Sequence, residues 1–446
     1  MRILRLVPYM YLNDRPAFQR NNNGFGRSVW DISRYCAALG EEVSVFTYVP
    51  TEAFSLAGVS FMGLDLSRVI SHVRPYDCPE ALRILRSYSS DSRGIVAKMK
   101  YVLKQCTKGY LADQIGQGKF DVIHVHGVTL DTVPLLDAAI EADVPMVVTM
   151  HGMYSLGAPS VTWFNAVLEK LLVEYLNYQG ICITTVSSGI RDTIIDRFDI
   201  GKPERIKVVL NGVECDNFKS SESKEILRKQ YELSSEKTLL LTVGSLTRVK
   251  NQHLVLEGLL RVPQEIRERL HYLIVGDGPE ENYLQELASH NRLTCVQFLG
   301  YRDGKELTDI YNLADAFIFT SPAIGYPRMF LESFSAGTPV LAFSDLAGLN
   351  DVYSSEAMEL IRGRSAQAVS DAILRAISTK WDREAIRRHA QNFSWSQIAK
   401  GYRAVYENEI ALKECRRQER QQEAYKNITE YLLHRAACVS ESERET

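Results

Sequence analysis

The sequence lacks any long apolar run, since nothing in its 446 residues approaches about 18 consecutive apolar side chains. We therefore expect no membrane-spanning helix. The opening stretch MRILRLVPYMYL is short and is interrupted by Arg2 and Arg5, so it does not resemble a secretion signal. The formal net charge is only −3. That balance disfavours the basic surface that bulk nucleic-acid binding requires.

Cysteine spacing excludes two further classes of site. The eight cysteines form no Cys-x-x-Cys pair and no spacing typical of zinc ligands. We expect reduced thiols in a cytoplasmic protein. The chain is 45% hydrophobic and 24% charged, which indicates a soluble protein with a sizeable core and two or three domains.

What the sequence does contain is a strand–helix rhythm in both halves. Short apolar runs alternate with segments of helical spacing, which predicts parallel sheets with right-handed crossovers. The predicted fold class is α/β, with two doubly wound Rossmann-like domains that face a ligand-binding cleft. The predicted segments are an N-terminal domain, 1–213; its variable insertion, 51–118; a linker, 214–236; a C-terminal domain, 237–394; a long amphipathic helix, 395–411; and a charged helical tail, 412–446.

The most informative stretch is 316–342. AFIFTS is typical of a buried parallel strand, PAIGYP of a loop, and RMFLESFSA of a helix with one apolar side. Glu332 lies in the first half of that helix, close to the carboxyl end of the strand, where ligands bind in open α/β sheets. A single helical Glu is more often a solvated surface residue, so this position alone does not decide between the two interpretations.

A second candidate site lies near the N-terminus. Asn23-Gly24-Phe25-Gly26-Arg27 closes a polar loop after the strand ILRLV, and a helix is predicted to begin at Ser28. Strand, glycine loop and helix start together are typical of a phosphate-binding site. The alternative is a tight strand-to-helix turn without a ligand.

Two histidines end consecutive apolar strands. His126 closes DVIHVH and His151 closes PMVVTMH, and a glycine follows each of them. A side chain at such a strand end leaves the core and enters the crevice above the sheet. Each histidine is therefore either an active-site group or a satisfied structural residue.

The insertion contains a helical segment, 93–111, with an apolar side and a row of lysines. Such a helix binds anionic membrane surfaces in some proteins and is an ordinary surface helix in others. The lysines counted on its polar side are Lys98, Lys100, Lys104 and Lys108.

Taken together and in order, ten motifs resemble those of the family 4 glycosyltransferases, which have the GT-B fold. They cover most of residues 1–410 but neither the insertion nor the tail. The motifs are NGFGRSVWDISRYCAALGEEVSVFT, DVIHVHG, TMHG, VSSGIRD, NGVECDNF, VGSLTRVKNQ, IVGDGPE, FLGY, SPAIGYPRMFLESFSAGTPV and FSWSQIAKGY.

The resemblance implies a retaining transferase that moves a hexose-type sugar from a UDP- or GDP-linked donor to a saccharide or lipid-linked acceptor. Surface polysaccharide or glycolipid synthesis is the implied setting. It implies no cofactor and no catalytic metal, and the absence of an Asp-x-Asp triplet agrees with that. It also implies that the helix 395–411 packs on the N-terminal domain.

The resemblance further assigns residue roles. Lys250 matches the lysine that contacts the leaving phosphate, and Glu332 matches the carboxylate that binds the ribose. The implied catalytic residues are Lys250, His151 and Arg248; the implied donor-binding residues are Gly24, Gly26, Arg27, Gly244, Tyr301, Ile324, Arg328, Met329, Phe330 and Glu332; and His126 is implied on the acceptor side.

The sequence departs from the family pattern in two segments. Ile324 stands where the family has the first Glu of its motif, and Tyr326-Pro327 replaces the usual Phe-Gly pair. Ser245 stands where an arginine is common, and Arg248 is the candidate replacement. These departures keep two other hypotheses open: a catalytically silent GT-B protein that binds a nucleotide sugar or a partner, and a nucleotide-sugar epimerase.

Overall fold

The computed structural model describes most of the chain as two compact units. Unit 1 comprises Met1–Leu210 and Trp395–Thr446, and unit 2 comprises Asn211–Ser394. Both are α/β, as the sequence predicts. The described residues are 1–21, 24–64, 66–73, 95–153, 163–321, 328–416, 428 and 431.

Unit 1 is built on one eight-stranded sheet. Its strands are β1 (Arg2–Val7), β2 (Glu42–Thr47), β3 (Phe54–Leu56), β4 (Val59–Phe61), β5 (Val122–His126), β6 (Met146–Met150), β7 (Cys182–Thr185) and β8 (Ile206–Val208). They lie in the order β3-β4-β2-β1-β5-β6-β7-β8. All pairings are parallel except that of β3 with β4. The chain therefore changes direction across the sheet between β1 and β5.

Helices connect these strands. They are α1 (Gly24–Ala38), α2 (Leu66–Ser71), α3 (Ile95–Gly118), α4 (Val133–Glu141), α5 (Trp163–Tyr178) and α6 (Ser188–Arg197). The predicted start of α1 at Ser28 is wrong, because the helix begins four residues earlier at Gly24. Glycine is costly inside a helix but is tolerated near the first turn, so the two glycines belong to the helix start rather than to the loop.

The variable insertion joins the sheet and carries α2 and α3. The prediction that Lys108 lies on a solvated face of α3 is wrong: its side chain is only 1% exposed. Lys108 Nζ lies 2.8 Å from Glu141 and 3.7 Å from Asp137, both on α4. Helical spacing could not predict the burial of Lys108, because the carboxylates that compensate its buried charge belong to another helix. Lys104 is also paired, with Asp131 at 2.8 Å.

Unit 2 has a six-stranded, entirely parallel sheet. Its strands are β9 (Thr238–Val243), β10 (Leu270–Val275), β11 (Val296–Gly300), β12 (Ala316–Phe319), β13 (Val340–Phe343) and β14 (Met358–Ile361). They lie in the order β11-β10-β9-β12-β13-β14. The accompanying helices are α7 (Lys224–Gln230), α8 (Gln252–Arg261), α9 (Gln264–Arg267), α10 (Glu281–His290), α11 (Gly304–Leu313), α12 (Arg328–Ser335), α13 (Ala366–Ser378) and α14 (Arg383–Gln391).

The last described helix, α15 (Trp395–Arg416), belongs to unit 1, where it packs on α1. Tyr402 and Tyr406 are buried on its inner side. Near its end, Glu409 forms a buried ion pair with Arg205, in which Arg205 Nη1 lies 3.0 Å from Glu409 Oε1. No helix among the described residues is long and apolar enough to cross a bilayer.

The pair of Arg205 and Glu409 yields a stability prediction. Arg205→Ala leaves the Glu409 carboxylate buried without its cation, so we expect the free energy of unfolding to fall by about 3–5 kcal/mol. Urea denaturation followed by circular dichroism measures the loss. The matched control, Arg205→Met with Glu409→Leu, removes both charges and should be much closer to wild type. An Arg205→Ala protein as stable as wild type would contradict the prediction.

Candidate functional site

The pairing of β9 with β12 marks the point where the chain of unit 2 changes direction across the sheet. β10 and β11 lie on one side of this point, and β13 and β14 lie on the other. The segments that leave β9 and β12 diverge there at the carboxyl edge, which is where ligands bind in open α/β sheets. Lys250 follows β9, and α12 follows β12.

Lys250 ends a short turn of 3-10 helix, Arg248–Lys250. Thr320, the residue after β12, donates its hydroxyl to two carbonyls of that turn, at 3.1 Å to Lys250 and 3.0 Å to Asn251. Thr320 is buried, so this contact links the two diverging segments inside the fold. The position of Lys250 is therefore coupled directly to the end of β12.

The ammonium group of Lys250 is partly withdrawn from solvent. Its Nζ lies 5.8 Å from the centroid of the Phe319 ring. Burial lowers the pKa of Lys250, because a low-dielectric surrounding disfavours the charged form. A phosphate group beside it would offset that cost and raise the pKa again. Lys250 is thus suited to an anionic ligand.

Two glycines after β10 allow the backbone of this edge to pack tightly. Gly276 has φ +131°, and a Cβ there would lie 2.0 Å from the carbonyl oxygen of Gly244. Gly278 has φ +154°, and its Cβ would lie 2.4 Å from the carbonyl oxygen of Leu246. Only glycine fits these positions. The segment from Gly244 to Leu246 is therefore fixed by backbone contacts with the next loop, including Leu246 N to Asp277 O at 2.7 Å.

The helix α12 begins at Arg328, as predicted, so its positive dipole end lies at the carboxyl edge of β12. Phe330 is buried against Phe319, with ring centroids 5.0 Å apart, so that only its backbone could serve a ligand. Met329 reaches the end of β9, since its Cε lies 4.0 Å from a Cβ built on Gly244. Ile324 lies outside the described residues.

Glu332 lies one turn into α12 and is half-buried. Its Oε2 accepts a hydrogen bond of 3.1 Å from the hydroxyl of Tyr311 on α11. Tyr311 is fully buried, and burial together with Glu332 raises the pKa of Tyr311 well above its ordinary value. The tyrosine therefore stays protonated and holds the carboxylate in one orientation.

Arg248 and Tyr301 are more peripheral. Arg248 is exposed at the start of the turn that carries Lys250. Tyr301 follows β11 at the edge of the sheet and is 54% exposed. Its hydroxyl donates to Asp303 at 3.3 Å. β10 separates β11 from β9, so Tyr301 lies at a distance from Lys250 along the same edge.

Unit 1 has an equivalent edge between β1 and β5. α1 begins there, and among the described residues nothing lies within 4 Å of a Cβ built on Gly24. Their packing does not require glycine at that position, whereas close approach of a ligand to the helix start would. Arg27 lies over the ring of Tyr11 at 5.3 Å, and Gly26 is buried in the first turn.

Below this edge lies a buried group of histidines. His126 is fully buried, and its Nδ1 lies 3.0 Å from Nε2 of His151. Its Nε2 lies 2.9 Å from Nη1 of Arg5, which also lies 2.8 Å from Nδ1 of His124. Burial lowers the pKa of His151 to about 3, and the charge of Arg5 adds to the effect. All three imidazoles are therefore neutral at physiological pH, since burial also lowers the pKa of His124 and His126 well below the usual range.

His151 borders a cavity of about 490 Å³ in unit 1. The ring of Phe25, from the glycine segment, packs edge-on against His151 with centroids 4.9 Å apart. Asp131 and Glu169 contribute carboxylates to a wall that is otherwise largely apolar. His126 is not among the lining residues. The structure therefore puts His126 beneath His151 rather than on the cavity surface.

Within the part of the chain that the structure describes, no group of three or more His, Cys, Asp or Glu side chains is arranged to hold a metal ion.

Two family models match consecutive parts of the chain. The model for Glycosyltransferase Family 4 matches residues 22–217, and the model for Glycosyl transferases group 1 matches residues 223–393. The chain belongs to glycosyltransferase family 4. The two matched regions contain the start of α1 and the carboxyl end of β9 described above.

Individual relatives agree with this assignment. The D-inositol 3-phosphate glycosyltransferase of Frankia alni is 27% identical over 413 residues, which cover 87% of this glycosyltransferase and 95% of the relative. A glycosyltransferase from Rickettsia africae has a similar structure, with a TM-score of 0.65, 16% identity, and coverage of 92% of this chain and 98% of that one. HepE of Anabaena, solved in complex with UDP, has a TM-score of 0.62 with 18% identity, over 92% and 100% of the two chains. Both structures have the GT-B fold of this enzyme.

Several residues at these edges were missed by sequence reasoning. Thr320 and Tyr311 gave no signal, because a threonine and a tyrosine in apolar surroundings are ordinary core residues. Arg5 did give one, since a charged residue inside the strand sequence ILRLV must either be exposed or have buried partners. Phe25 gave no signal of its own, although it packs on His151.

The contact from Thr320 yields a testable prediction. Thr320→Val keeps the side-chain shape but removes the donor, so the free energy of unfolding should fall by about 1 kcal/mol. Amide hydrogen exchange, read by mass spectrometry, should accelerate selectively in residues 248–252. Thr338→Val is the matched control, because the buried Thr338 donates to Tyr311 O at 2.7 Å and not to this turn. Equal exchange at 248–252 in both variants would contradict the role of Thr320.

Proposed function

We propose that this glycosyltransferase moves a sugar from a nucleotide-sugar donor to a hydroxyl group of a saccharide or lipid-linked acceptor, with retention of anomeric configuration. Surface polysaccharide or glycolipid synthesis is the proposed setting. The observation that carries the proposal is the hydrogen-bonded connection between the Lys250 turn and the end of β12, directly before the segment that leads into α12. That connection holds a cation at the point of a doubly wound sheet where ligands bind.

The chemistry explains why a cation is needed there. When the bond between sugar and phosphate breaks, negative charge develops on the departing diphosphate. Preorganised positive groups stabilise such charge without reorganisation, and this term is usually the largest in catalysis. In the proposed mechanism Lys250 supplies one charge, the dipole end of α12 supplies partial charge, and Arg248 and Arg328 add to the local potential. Backbone groups of Gly244, Met329 and Phe330 complete the donor site.

Recognition of the nucleoside is proposed to involve Glu332 and Tyr301. A carboxylate fixed by Tyr311 is a suitable acceptor for the two ribose hydroxyls, because charge-assisted hydrogen bonds are strong. An exposed aromatic ring at the end of β11 is suited to stack on a base. The donor is proposed to be UDP- or GDP-linked. UDP is the first to test, because HepE of Anabaena has been solved with UDP and with UDP-glucose.

The acceptor is proposed to enter the cavity of unit 1. A largely apolar wall with Asp131, Glu169 and His151 matches a saccharide, which presents both carbon faces and hydroxyls. The α1 start, with Gly24, Gly26 and Arg27, is proposed to bind an anionic group of a ligand in unit 1.

Peripheral binding to an anionic membrane through 93–111 stays a prediction, now without Lys108, which is buried. Sedimentation with anionic vesicles at low salt tests it, and protein that stays in the supernatant would end it.

Donor choice also stays a prediction. Ile324 cannot pair a sugar hydroxyl, so we expect tolerance among donors or a preference for a deoxy or N-acetyl sugar. Ile324→Glu should change that preference and leave binding of the bare nucleoside diphosphate unchanged, as titration calorimetry would measure.

One experiment tests the proposed function as a whole. The protein is incubated with a panel of nucleotide sugars, with and without acceptor extracts, and release of nucleoside diphosphate is measured. Slow hydrolysis without acceptor and faster release with acceptor are expected. Binding across the panel without any release would instead favour a catalytically silent protein, and interconversion of donor sugars would favour an epimerase.

Lys250 gives the first prediction for catalysis. Removing one preorganised stabilising group costs about 100-fold in turnover or more, so Lys250→Ala should lose at least that much at an unchanged melting temperature. The control is Lys380→Ala, which removes an exposed lysine of the same unit. A folded Lys250→Ala enzyme with full turnover would remove Lys250 from the mechanism.

Glu332 gives a second prediction, which concerns nucleotide binding. Glu332→Gln should weaken UDP and UDP-glucose alike, by about 10-fold, because hydrogen bonds to a charged group contribute about 1.5–3 kcal/mol. Glu286→Gln, an exposed change in the same unit, is the matched control. Titration calorimetry compares the four affinities with wild type. A selective loss for UDP-glucose would place Glu332 near the sugar rather than the ribose.

A further inference from the structure

A buried arginine lies at the centre of unit 1. Arg5 is in the middle of β1 and is fully buried. Among the described residues no carboxylate lies within ion-pair distance of its guanidinium, and its Nε has no hydrogen-bond partner. Removing a cation from water without a counterion is costly, so such a residue persists only where the surrounding groups need it. Its hydrogen bonds go to His124, His126 and the thiol of Cys36, with Nη2 3.2 Å from Sγ.

These hydrogen bonds determine where the protons of the histidines lie. Arginine has only donors, so the ring nitrogen that faces it must be an acceptor. Nε2 of His126 faces Arg5, and the proton of the neutral ring is therefore on Nδ1. That Nδ1–H donates to Nε2 of His151, 3.0 Å away, and the proton of His151 must in turn be on Nδ1.

The same rule fixes the third ring. Nδ1 of His124 accepts from Arg5 and also lies 2.7 Å from the hydroxyl of Tyr406, so the proton of the neutral ring is on Nε2, which donates to Thr149 Oγ1 at 2.6 Å. This contact ties His124 to Thr149 on the neighbouring strand β6, so His124 does not donate to His151.

The chain of donors ends at His151, a residue that borders the cavity. Nδ1 of His151 is buried and has no hydrogen-bond partner among the described residues, although His151 borders the cavity. An N–H group left in this state costs free energy until an acceptor reaches it. An oxygen atom of a bound substrate would complete the chain.

We propose that Arg5 is a positioning residue that holds His126 and His151 in their neutral Nδ1–H tautomers, so that His151 presents a fixed hydrogen-bond donor to an oxygen of the bound substrate. The substrate contact rests on the proposed function, whereas the tautomers do not. His151 is then a donor and not a general base, because its other nitrogen is already occupied by His126.

The surrounding charges agree with neutral rings. The titratable groups that face Arg5 are Cys36 from α1 and Tyr402 and Tyr406 from α15, all uncharged near pH 7. On the cavity side the carboxylates are Asp131, which is paired with Lys104, and Glu169. Burial and Arg5 lower the pKa of His126 and His151 despite those carboxylates. Both rings should therefore stay neutral from pH 5 to 8.

Nuclear magnetic resonance of protein labelled with ¹⁵N at histidine tests the proposal without substrate. Long-range ¹H–¹⁵N spectra distinguish Nδ1–H from Nε2–H rings, and loss of one signal in His151→Gln provides the assignment. We expect both His126 and His151 as Nδ1–H tautomers with no titration between pH 5 and 8. An Nε2–H tautomer at His151, or titration near pH 6.5, would overturn the proposal.

Variants separate positioning from general support of the core. Arg5→Met should return the two rings to mixed tautomers, and Arg5→Lys should restore the wild-type spectrum at least in part. Cys36→Ala is the matched control, because it removes another partner of the same guanidinium and should leave the tautomers unchanged. A wild-type spectrum in Arg5→Met would refute the role of Arg5. If Arg5→Met does not fold, the wild-type and Cys36→Ala spectra still show whether His126 and His151 are Nδ1–H tautomers.

Kinetics then tests the substrate contact. With the donor that the nucleotide-sugar panel identifies, Arg5→Met should lose turnover about 10-fold or more, because part of its His151 population turns an acceptor nitrogen instead of a donor toward the substrate. Turnover equal to wild type in a folded Arg5→Met enzyme would count against a fixed donor. If the panel finds no transfer but the tautomers are as expected, the proposed function fails and the positioning role stands.

Discussion

The site in unit 2 depends on one pairing, that of β9 with β12. Because parallel strands end at the same edge, this pairing brings the turn of Lys250 beside the residue that follows β12. Thr320 then joins the two segments through its hydroxyl, and the tightly packed glycine loop fixes the backbone from Gly244 onward. A cation and a helix dipole meet at this edge because the sheet is doubly wound, not because they are close in sequence.

The corresponding edge of unit 1 contains a buried arginine and a group of histidines. Arg5 is fully buried, and among the described residues no carboxylate lies within ion-pair distance of it. It contacts His126, which in turn contacts His151 beside the cavity. α15 supplies part of the enclosure through Tyr402 and Tyr406, although it lies almost 400 residues further along the chain from Arg5. The return of the chain to unit 1 after Ser394 is therefore part of how this histidine group is built.

Much of this organisation follows from the sequence. The apolar runs predicted the parallel strands, and the Gly/Pro loop before RMF predicted the start of α12 at Arg328 correctly. The predicted start of α1 at Ser28 is wrong, because the first turn of a helix tolerates glycines that the pattern assigns to the loop. The exposure predicted for Lys108 was also wrong, since helical spacing describes one helix and cannot include the carboxylates of α4.

The sequence by itself determined the fold class, the two doubly wound halves, and the motifs that place the chain in its family, because periodicity and glycine positions act locally along the chain. The tertiary structure alone decided that Thr320 fixes Lys250, that Tyr311 orients Glu332, and that Arg5 reaches His126. These contacts join residues from about 20 to over 120 positions apart. Hydrogen bonds of that kind depend on which strands are neighbours, and strand order is set by the packing of the whole sheet rather than by any single segment.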